Sequence, residues 1–174
     1  MFVRRSLLRA AILSALALFI APPLAATPAS AKSVTFRGTG ESFSINIPDN
    51  WRIKNNERGI EVTSNDREVT FWIEAIDSSN VDAVVNGYIR YFRQQGVKLR
   101  LPMDQRKSNF GGVDVILMEI PATYDGGPTI VRLMIADPRP KEKKGIFLGY
   151  WASPRGDKKH DSAVTDIVMD VLRP

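Results

Sequence analysis

The chain has 174 residues and a formal charge of +5, with 24 Lys and Arg against 19 Asp and Glu. It contains no cysteine, which excludes disulfides, thiolate metal sites, a cysteine nucleophile and a lipid anchor attached to cysteine. It contains one histidine, which cannot by itself supply the several ligands of a zinc or copper site. Any exported form of this chain must therefore be held together by its core alone.

The first 31 residues have the three parts of a secretory signal peptide. They open as MFVRRSLLRA, continue as the apolar run AILSALALFIAPPLA, and end at Ala29-Ser30-Ala31. The alternative is a membrane anchor, but a spanning helix needs about 20 apolar residues, whereas this run is shorter and is interrupted by Pro22-Pro23. The sequence predicts cleavage after Ala31 and a periplasmic or secreted protein. The segment RRSLLR also resembles a twin-arginine signal, although the general export route is favoured.

The predicted mature domain, residues 32–174, is nearly neutral. Three of the basic residues and none of the acidic residues lie in the predicted signal peptide, which leaves 21 basic against 19 acidic residues, or +2. This charge is too small for the strong basic face that is typical of nucleic-acid-binding domains. No other apolar run is long enough to span a membrane. We therefore expect one domain that binds no nucleic acid and is not membrane-spanning after cleavage.

The mature chain begins with two short strands and a turn. Residues 33–37 and 42–47 are predicted as strands, and in the second one apolar and polar residues alternate with period two. Pro48-Asp49-Asn50 has the chemistry of a turn. Trp51 follows this turn, and we predict that its side chain folds back over the edge of the core. The alternative is an exposed tryptophan that anchors a partner.

A hairpin and a helix come next. Residues 59–63 and 68–76 are predicted to pair around the turn 64–67. The second arm should direct alternate side chains to opposite faces, with Val69, Phe71, Ile73 and Ala75 on one and Thr70, Trp72, Glu74 and Ile76 on the other. From residue 81 to residue 95 the apolar residues repeat at helical spacing, after a cap at Ser79 or Asn80 and before Gly96.

Strands return in the second half of the chain and a helix ends it. Four predicted strands cover residues 105–110, 113–123, 128–136 and 146–152. Residues 153–160 are predicted as a polar loop and residues 162–173 as a second helix. Strands separated by short turns predict an antiparallel meander. The expected fold is α+β, an antiparallel sheet of about six or seven strands covered by two helices as an α/β/α sandwich.

Four segments resemble the PsbP-like superfamily, which includes the DcrB-type periplasmic proteins and the Ran-binding Mog family. They are FSINIPDNW (43–51), REVTFWIEAID (67–77), FGGVDVILMEI (110–120) and IFLGYWAS (146–153). The resemblance implies an α/β/α sandwich, and it implies a protein that binds other proteins or stabilises larger assemblies rather than catalyses. No catalytic residue is carried over from the family.

The residues suited to catalysis or metal binding do not form a recognisable site. His160 stands directly beside Asp161 and Ser162, and three consecutive residues cannot line up as a catalytic triad, so these two are better interpreted as helix caps. The run DSSNVD at 77–82 lacks the Gly and terminal Glu of an EF-hand loop. A catalytic pair of carboxylates stays open. We expect no enzyme activity, no cofactor and no metal.

Two basic segments are the candidate partner-binding residues. One holds Arg139, Lys141, Lys143 and Lys144, and the other holds Arg155, Lys158 and Lys159. They could bind an acidic partner or an anionic headgroup, or they could only keep an exported domain well solvated.

Three functions are compatible with the sequence, and two of them rank above the third. The first is a non-catalytic periplasmic accessory domain that contacts an envelope protein. The second is a carrier of a small molecule or lipid, with a pocket between sheet and helix. Its motivation is the surplus of large residues such as Trp72, Tyr88 and Tyr150, whose ordinary role is core packing. A hydrolase ranks last, because it would need a carboxylate pair in a cleft.

Overall fold

The computed structural model describes residues 30–38, 41–110, 112–139 and 144–173, so the predicted signal peptide lies almost wholly outside the described residues. The strands in these ranges are β1 (Ala31–Gly38), β2 (Glu41–Pro48), β3 (Arg52–Asn55), β4 (Gly59–Thr63), β5 (Val69–Asp77), β6 (Lys98–Leu99), β7 (Asp104–Phe110), β8 (Val113–Tyr124), β9 (Gly127–Arg139) and β10 (Lys144–Ala152). The helices are α1 (Val81–Gln94), which follows a 3-10 turn at Ser78–Asn80, and α2 (Pro154–Leu172). No helix in these ranges is long and apolar enough to cross a membrane.

Eight of the strands form one antiparallel sheet. Its order is β3-β4-β5-β10-β9-β8-β6, and β7 also pairs with β8, along the first part of that strand, before the residues that pair with β6. The first two strands pair with each other as a separate ribbon. The predicted strands are confirmed, and β3 and β6 are additions to them.

The sheet carries a core on each face, because successive side chains of a strand point to opposite sides. The ribbon and α2 cover one face, over residues such as Ile60, Val62, Phe71, Ile73, Leu148 and Tyr150. Helix α1 covers the other, over residues such as Trp72, Ile76, Met118, Leu133 and Phe147. The α/β/α sandwich and the predicted opposite faces of the 68–76 strand are confirmed.

Trp51 lies under the edge of the ribbon-side core, as predicted, and only 4% of it is exposed. Its backbone N–H donates to the Pro48 carbonyl at 2.9 Å, which closes the predicted turn. Its ring lies 5.9 Å from the ring of Phe71 and meets the His160 ring edge-on at 5.2 Å. Trp51 is therefore a structural residue.

Helix α1 follows its predicted course. The predicted apolar stripe is buried at Val84, Tyr88, Ile89 and Phe92. A cap was expected from Ser79 or Asn80. Asn80 occupies the N-cap position but its side chain makes no capping bond, and the Asp77 carboxylate caps the preceding 3-10 turn by accepting the Ser79 N–H at 2.8 Å. Gly96 ends the segment with a φ of +86°.

Helix α2 corrects the prediction of a polar loop at residues 153–160. The helix begins at Pro154, with Ser153 as its N-cap, and the Ser153 hydroxyl accepts the Gly156 N–H at 2.9 Å. Asp161 and Ser162 are therefore helix-interior residues and not caps. Ser followed by Pro at the first helical position is a known signal for the start of a helix. The run of charged residues that follows it is also typical of a solvent-exposed loop, and the prediction followed that second pattern.

A glycine at the start of α2 allows the helix to lie directly on the sheet. A methyl group at Gly156 would approach the Glu68 carbonyl oxygen to 2.6 Å. Glycine is thus required by a close approach of two segments, although it is a poor helix former.

Candidate binding cleft beside helix α1

A cleft of about 390 Å³ opens between helix α1 and the neighbouring part of the sheet. Strand β5 and the turn that precedes β4 form one side of it, and two turns of the helix form the other. The residues that line it are Asn56, Arg58, Trp72, Glu74, Ala83, Val84, Gly87, Tyr88, Arg90 and Tyr91.

The deepest polar group of the cleft is the carboxylate of Glu74, which is the one buried charged residue in the described ranges. It accepts the Tyr88 hydroxyl at 2.8 Å and the Arg58 Nε at 2.9 Å, and the Asn56 amide lies at 3.4 Å. A buried carboxylate is tolerated only when it is paired and hydrogen-bonded in this way. Glu74 is thus a saturated, anchored anion.

The turn before β4 places Arg58 and Asn56 against this carboxylate. The Asn56 side-chain oxygen accepts the backbone N–H of Arg58 at 3.0 Å and that of Gly59 at 2.6 Å, which fixes the turn. Gly59 is needed because a methyl group there would lie 1.9 Å from the Ile73 carbonyl oxygen. The local sequence N-x-R-G therefore sets the position of the guanidinium.

Tyr88 reaches Glu74 from the helix. Its burial raises the pKa of the phenol well above its usual range, and the negative charge of Glu74 raises this pKa further. Its proton is therefore retained at any physiological pH. Tyr88 serves as a fixed hydrogen-bond donor to the carboxylate.

Aromatic rings make up most of the remaining floor. The Trp72 ring lies 5.7 Å from that of Tyr88, 5.3 Å from that of Tyr91 and 5.8 Å from that of Phe92, in edge-to-face arrangements. The Trp72 indole N–H donates to the Glu61 carboxylate at 2.9 Å. This tight cluster holds Trp72 in one orientation beneath the cleft.

Small residues on helix α1 keep the cleft open. Ala83 and Gly87 lie one turn apart on the lining, and a methyl group added at Gly87 would meet no atom within 4 Å. Arg90 and Tyr91 border the same opening, and the Arg90 guanidinium makes no hydrogen bond or ion pair with the described residues. The open part of the cleft thus presents aromatic surface and a free cation.

This arrangement is suited to recognition. The Glu74 carboxylate and the Tyr88 hydroxyl bond to each other and are held in fixed positions at the bottom of the cleft, which gives the cleft a defined shape. Among the described residues, no group of three or more His, Asp or Glu side chains is placed to hold a metal ion.

The second predicted basic segment lies on the first turns of α2. Arg155 pairs with Glu68, and Lys159 pairs with Asp66 at 2.7 Å. Lys158 is exposed and has no such partner among the described residues. The first segment lies outside the described residues at Lys141 and Lys143, and the side chains of Arg139 and Lys144 are likewise not described. That these residues bind a partner stays a prediction.

His160, expected in a solvated loop, instead lies on α2 with its side chain 15% exposed. Its Nε2 is 3.0 Å from the Asp66 carboxylate, and its ring packs on Trp51. The pKa of Asp66 is held well below its usual range, chiefly by the hydrogen bond from Lys159, with smaller contributions from Ser64 and His160. This cluster joins α2 to the β4–β5 turn.

Tyr150 does not share the cleft with Trp72 and Tyr88. It lies on the opposite face of the sheet, beside a smaller groove of about 180 Å³ under α2. Its hydroxyl donates to Asp157 at 2.8 Å, and Arg132 donates to the same carboxylate at 2.6 Å. Of the three large residues that motivated the expectation of a pocket, Trp72 and Tyr88 line the same cleft, whereas Tyr150 does not.

Sequence reasoning missed Arg58, Asn56 and Arg90 as cleft residues. A signal for Glu74 was available, because it is a charged residue in the apolar strand VTFWIEAI, on the face that also carries Trp72 and Ile76. A charge at a buried strand position requires partners from elsewhere in the chain. Which residues supply them depends on the packing of α1 against the turn before β4.

Comparison with known proteins shows the fold. No family model and no curated protein matches the sequence. The solution structure of cyanobacterial PsbP (CyanoP) from Synechocystis matches 84% of this chain and 94% of its own, with a TM-score of 0.56 at 10% identity. This similarity and the sandwich described above confirm the predicted PsbP-like fold.

Two further structures align over most of the chain with lower scores. LpqN, which is involved in cell envelope biogenesis of Mycobacterium tuberculosis, matches 82% of this chain and 83% of its own, with a TM-score of 0.45 at 13% identity. The Saccharomyces cerevisiae Ran-binding protein Mog1p matches 82% of this chain and 97% of its own, with a TM-score of 0.47 at 6% identity.

Proposed function

We propose that this protein is a non-catalytic accessory domain of the cell envelope that acts by binding another protein, and that the cleft beside α1 is its recognition site. The signal-like N-terminus supports the compartment. The fold is compatible with such a role but does not determine it, since one fold can serve many functions.

The observation that carries the proposal is the saturation of Glu74. Its donors come from the helix and from the turn before β4, so these hydrogen bonds fix the shape of the cleft. The accessible surface of the cleft includes the aromatic side chain of Tyr91 and the Arg90 cation. Aromatic residues and arginines are the side chains that most often dominate protein interfaces.

Gly87 offers a direct test of the site. Gly87→Leu should fill the cleft without a clash, because the space beside Gly87 is empty. The tagged full chain is used to capture proteins from the envelope fraction, and Gly87→Ala serves as the matched control. We expect a saturable partner with wild type and Gly87→Ala, and its loss with Gly87→Leu. Recovery of no partner, together with a measurable turnover of a substrate, would refute the proposed function.

A small-molecule carrier is a second candidate, which the cleft volume favours. About 390 Å³ lies within the range of about 300–1,000 Å³ that is typical of ligand pockets. Native mass spectrometry of the purified chain would detect a retained small molecule as a discrete added mass. Its presence in wild type and absence in Gly87→Leu would favour the carrier, and an unmodified mass in both would count against it.

A further inference from the structure

A second cleft lies on the same face of the sheet. It has a volume of about 370 Å³ and is lined by Arg67, Glu68, Thr70, Tyr124, Pro128, Thr129, Trp151, Ala152 and Ser153. The Trp151 indole N–H donates to the Thr129 hydroxyl at 2.9 Å, and this hydroxyl donates to the Ala152 carbonyl at 2.9 Å. The polar groups of its floor are thus satisfied within the protein.

The two clefts are neighbours on strand β5. Thr70 lies in the second cleft, whereas Trp72 and Glu74 lie in the first, and these alternate residues share the face that α1 covers. From Thr70 to Glu74 the strand extends about 13 Å. We define the trough as the two clefts together with the adjoining α1-side surface of β3 and β4.

The carboxylates within the trough are already engaged. Glu74 is held as described, and Glu61 accepts the Trp72 indole N–H. Glu68 accepts hydrogen bonds from Ser153 and Arg155, which hold its pKa below the usual range. Glu74 and Glu68 are each paired with an arginine, so Glu61, which is bonded only by a neutral indole, is the carboxylate of the trough that keeps its charge uncompensated in the described ranges.

The cations of the trough are mostly free. Arg67 lines the second cleft and Arg90 the first, and neither side chain makes a hydrogen bond or ion pair with the described residues. Arg52 and Lys54 are exposed on the edge strand β3, opposite Thr63 and Glu61, and their side chains are also unpaired in the described ranges.

Exposed aromatic surface lies among these cations. Tyr124 is 46% exposed and meets Trp151 edge-on at 5.0 Å, at the far end of the second cleft. Tyr91 lines the first cleft, where it packs against Trp72. The trough thus combines four unpaired cations with aromatic side chains in both clefts.

We infer that the trough binds an extended acidic segment of the partner protein. This inference rests on the proposed function and names the chemical class of ligand that the site recognises. Charge complementarity selects an anionic chain, since four cations are unpaired in the described ranges against one uncompensated carboxylate, Glu61. The aromatic side chains in both clefts favour a peptide over a bare polyanion, because a peptide carries apolar side chains between its charges. Arg52 and Lys54 are two residues apart on β3, about 6.6 Å, the repeat of alternate side chains in an extended peptide.

The test measures direct binding of a defined probe to the full chain. The probe is a fluorescein-labelled ten-residue peptide of alternating Glu and Tyr, and its anisotropy is followed as protein is added. We expect saturable binding that weakens as salt is raised, because exposed charges are screened over about 8 Å at physiological ionic strength. The double variant Arg67→Glu/Arg90→Glu should bind about tenfold more weakly or worse.

Lys107→Glu is the matched control, since Lys107 is an exposed lysine on β7, at the other edge of the sheet. It should bind as wild type does. An equal loss with Lys107→Glu, equal affinity for the double variant, or equal binding of anionic lipid vesicles would overturn the inference. If wild type and the double variant capture the same envelope protein equally well, only the inference about the trough is overturned. If wild type captures no partner, the proposed function itself is contradicted.

Discussion

Replacing Trp51 by alanine removes a buried ring from the junction of the ribbon, the sheet and helix α2. The indole is almost fully buried, packs on Phe71 and is in edge contact with His160. Truncation of a buried aromatic residue to alanine typically costs about 3–5 kcal/mol. A domain of this size has only about 5–15 kcal/mol of stability in total. We therefore expect Trp51→Ala to lose a large fraction of the free energy of unfolding.

Urea denaturation followed by far-UV circular dichroism measures this loss. With a dependence of about 1–3 kcal/mol per molar urea, the midpoint should fall by about 2 M. Trp51→Phe is the matched control. It keeps an aromatic ring, so its urea midpoint should fall by much less. An unchanged midpoint for Trp51→Ala would refute the reasoning and would make Trp51 a candidate for partner contact.

Three further substitutions test other parts of the structure. Gly87→Ala should raise stability by about 1 kcal/mol, because alanine is the better helix former and its methyl group meets open space; thermal denaturation checks the sign. Gly156→Ala should lower the melting temperature despite the same propensity gain, because its methyl group would clash with the Glu68 backbone, and an increase would contradict the close approach of α2. Asp66→Asn should be less stable than wild type at pH 7. The pKa of Asp66 is lower in the folded protein than its value of about 4 in the unfolded chain, so the ionised carboxylate stabilises the folded protein at a pH above 4. This difference should shrink as the pH falls below 4, and a urea midpoint difference that stays constant from pH 7 to pH 3 would contradict the role of Asp66.

The sequence predicted the sheet better than its edges. Alternation in the segment REVTFWIEAID identified both faces of β5, because burial on two sides leaves a period that can be read locally. Strands β3 and β6 have only four and two residues and are defined by pairing with β4 and β8, which local patterns do not encode. The start of α2 was missed for a related reason, since its first turns are charged and their packing partners, Glu68 and Asp66, are about 90 residues away.

The candidate site was predicted only in outline. The sequence predicted a pocket between sheet and helix only for the alternative function, from a surplus of large residues such as Trp72, Tyr88 and Tyr150. The meeting of Trp72 and Tyr88 with Arg58 depends on the conformation of the turn before β4, and the opening depends on the absence of a side chain at Gly87. These are properties of tertiary packing, which a pattern of apolar and polar residues does not contain.

The ribbon and the last helix can be completed only together. Asn46 donates its backbone and side-chain N–H groups to the Asp170 carboxylate, a residue 124 positions later in the chain. An isolated two-stranded ribbon is marginally stable, and contacts between distant parts of a chain slow folding. We therefore expect Ile45 and Ile47 to reach their full burial only after the C-terminal helix has docked. A chain that ends before Pro154 would leave part of this apolar face uncovered, and during synthesis it is a surface that a chaperone would need to protect.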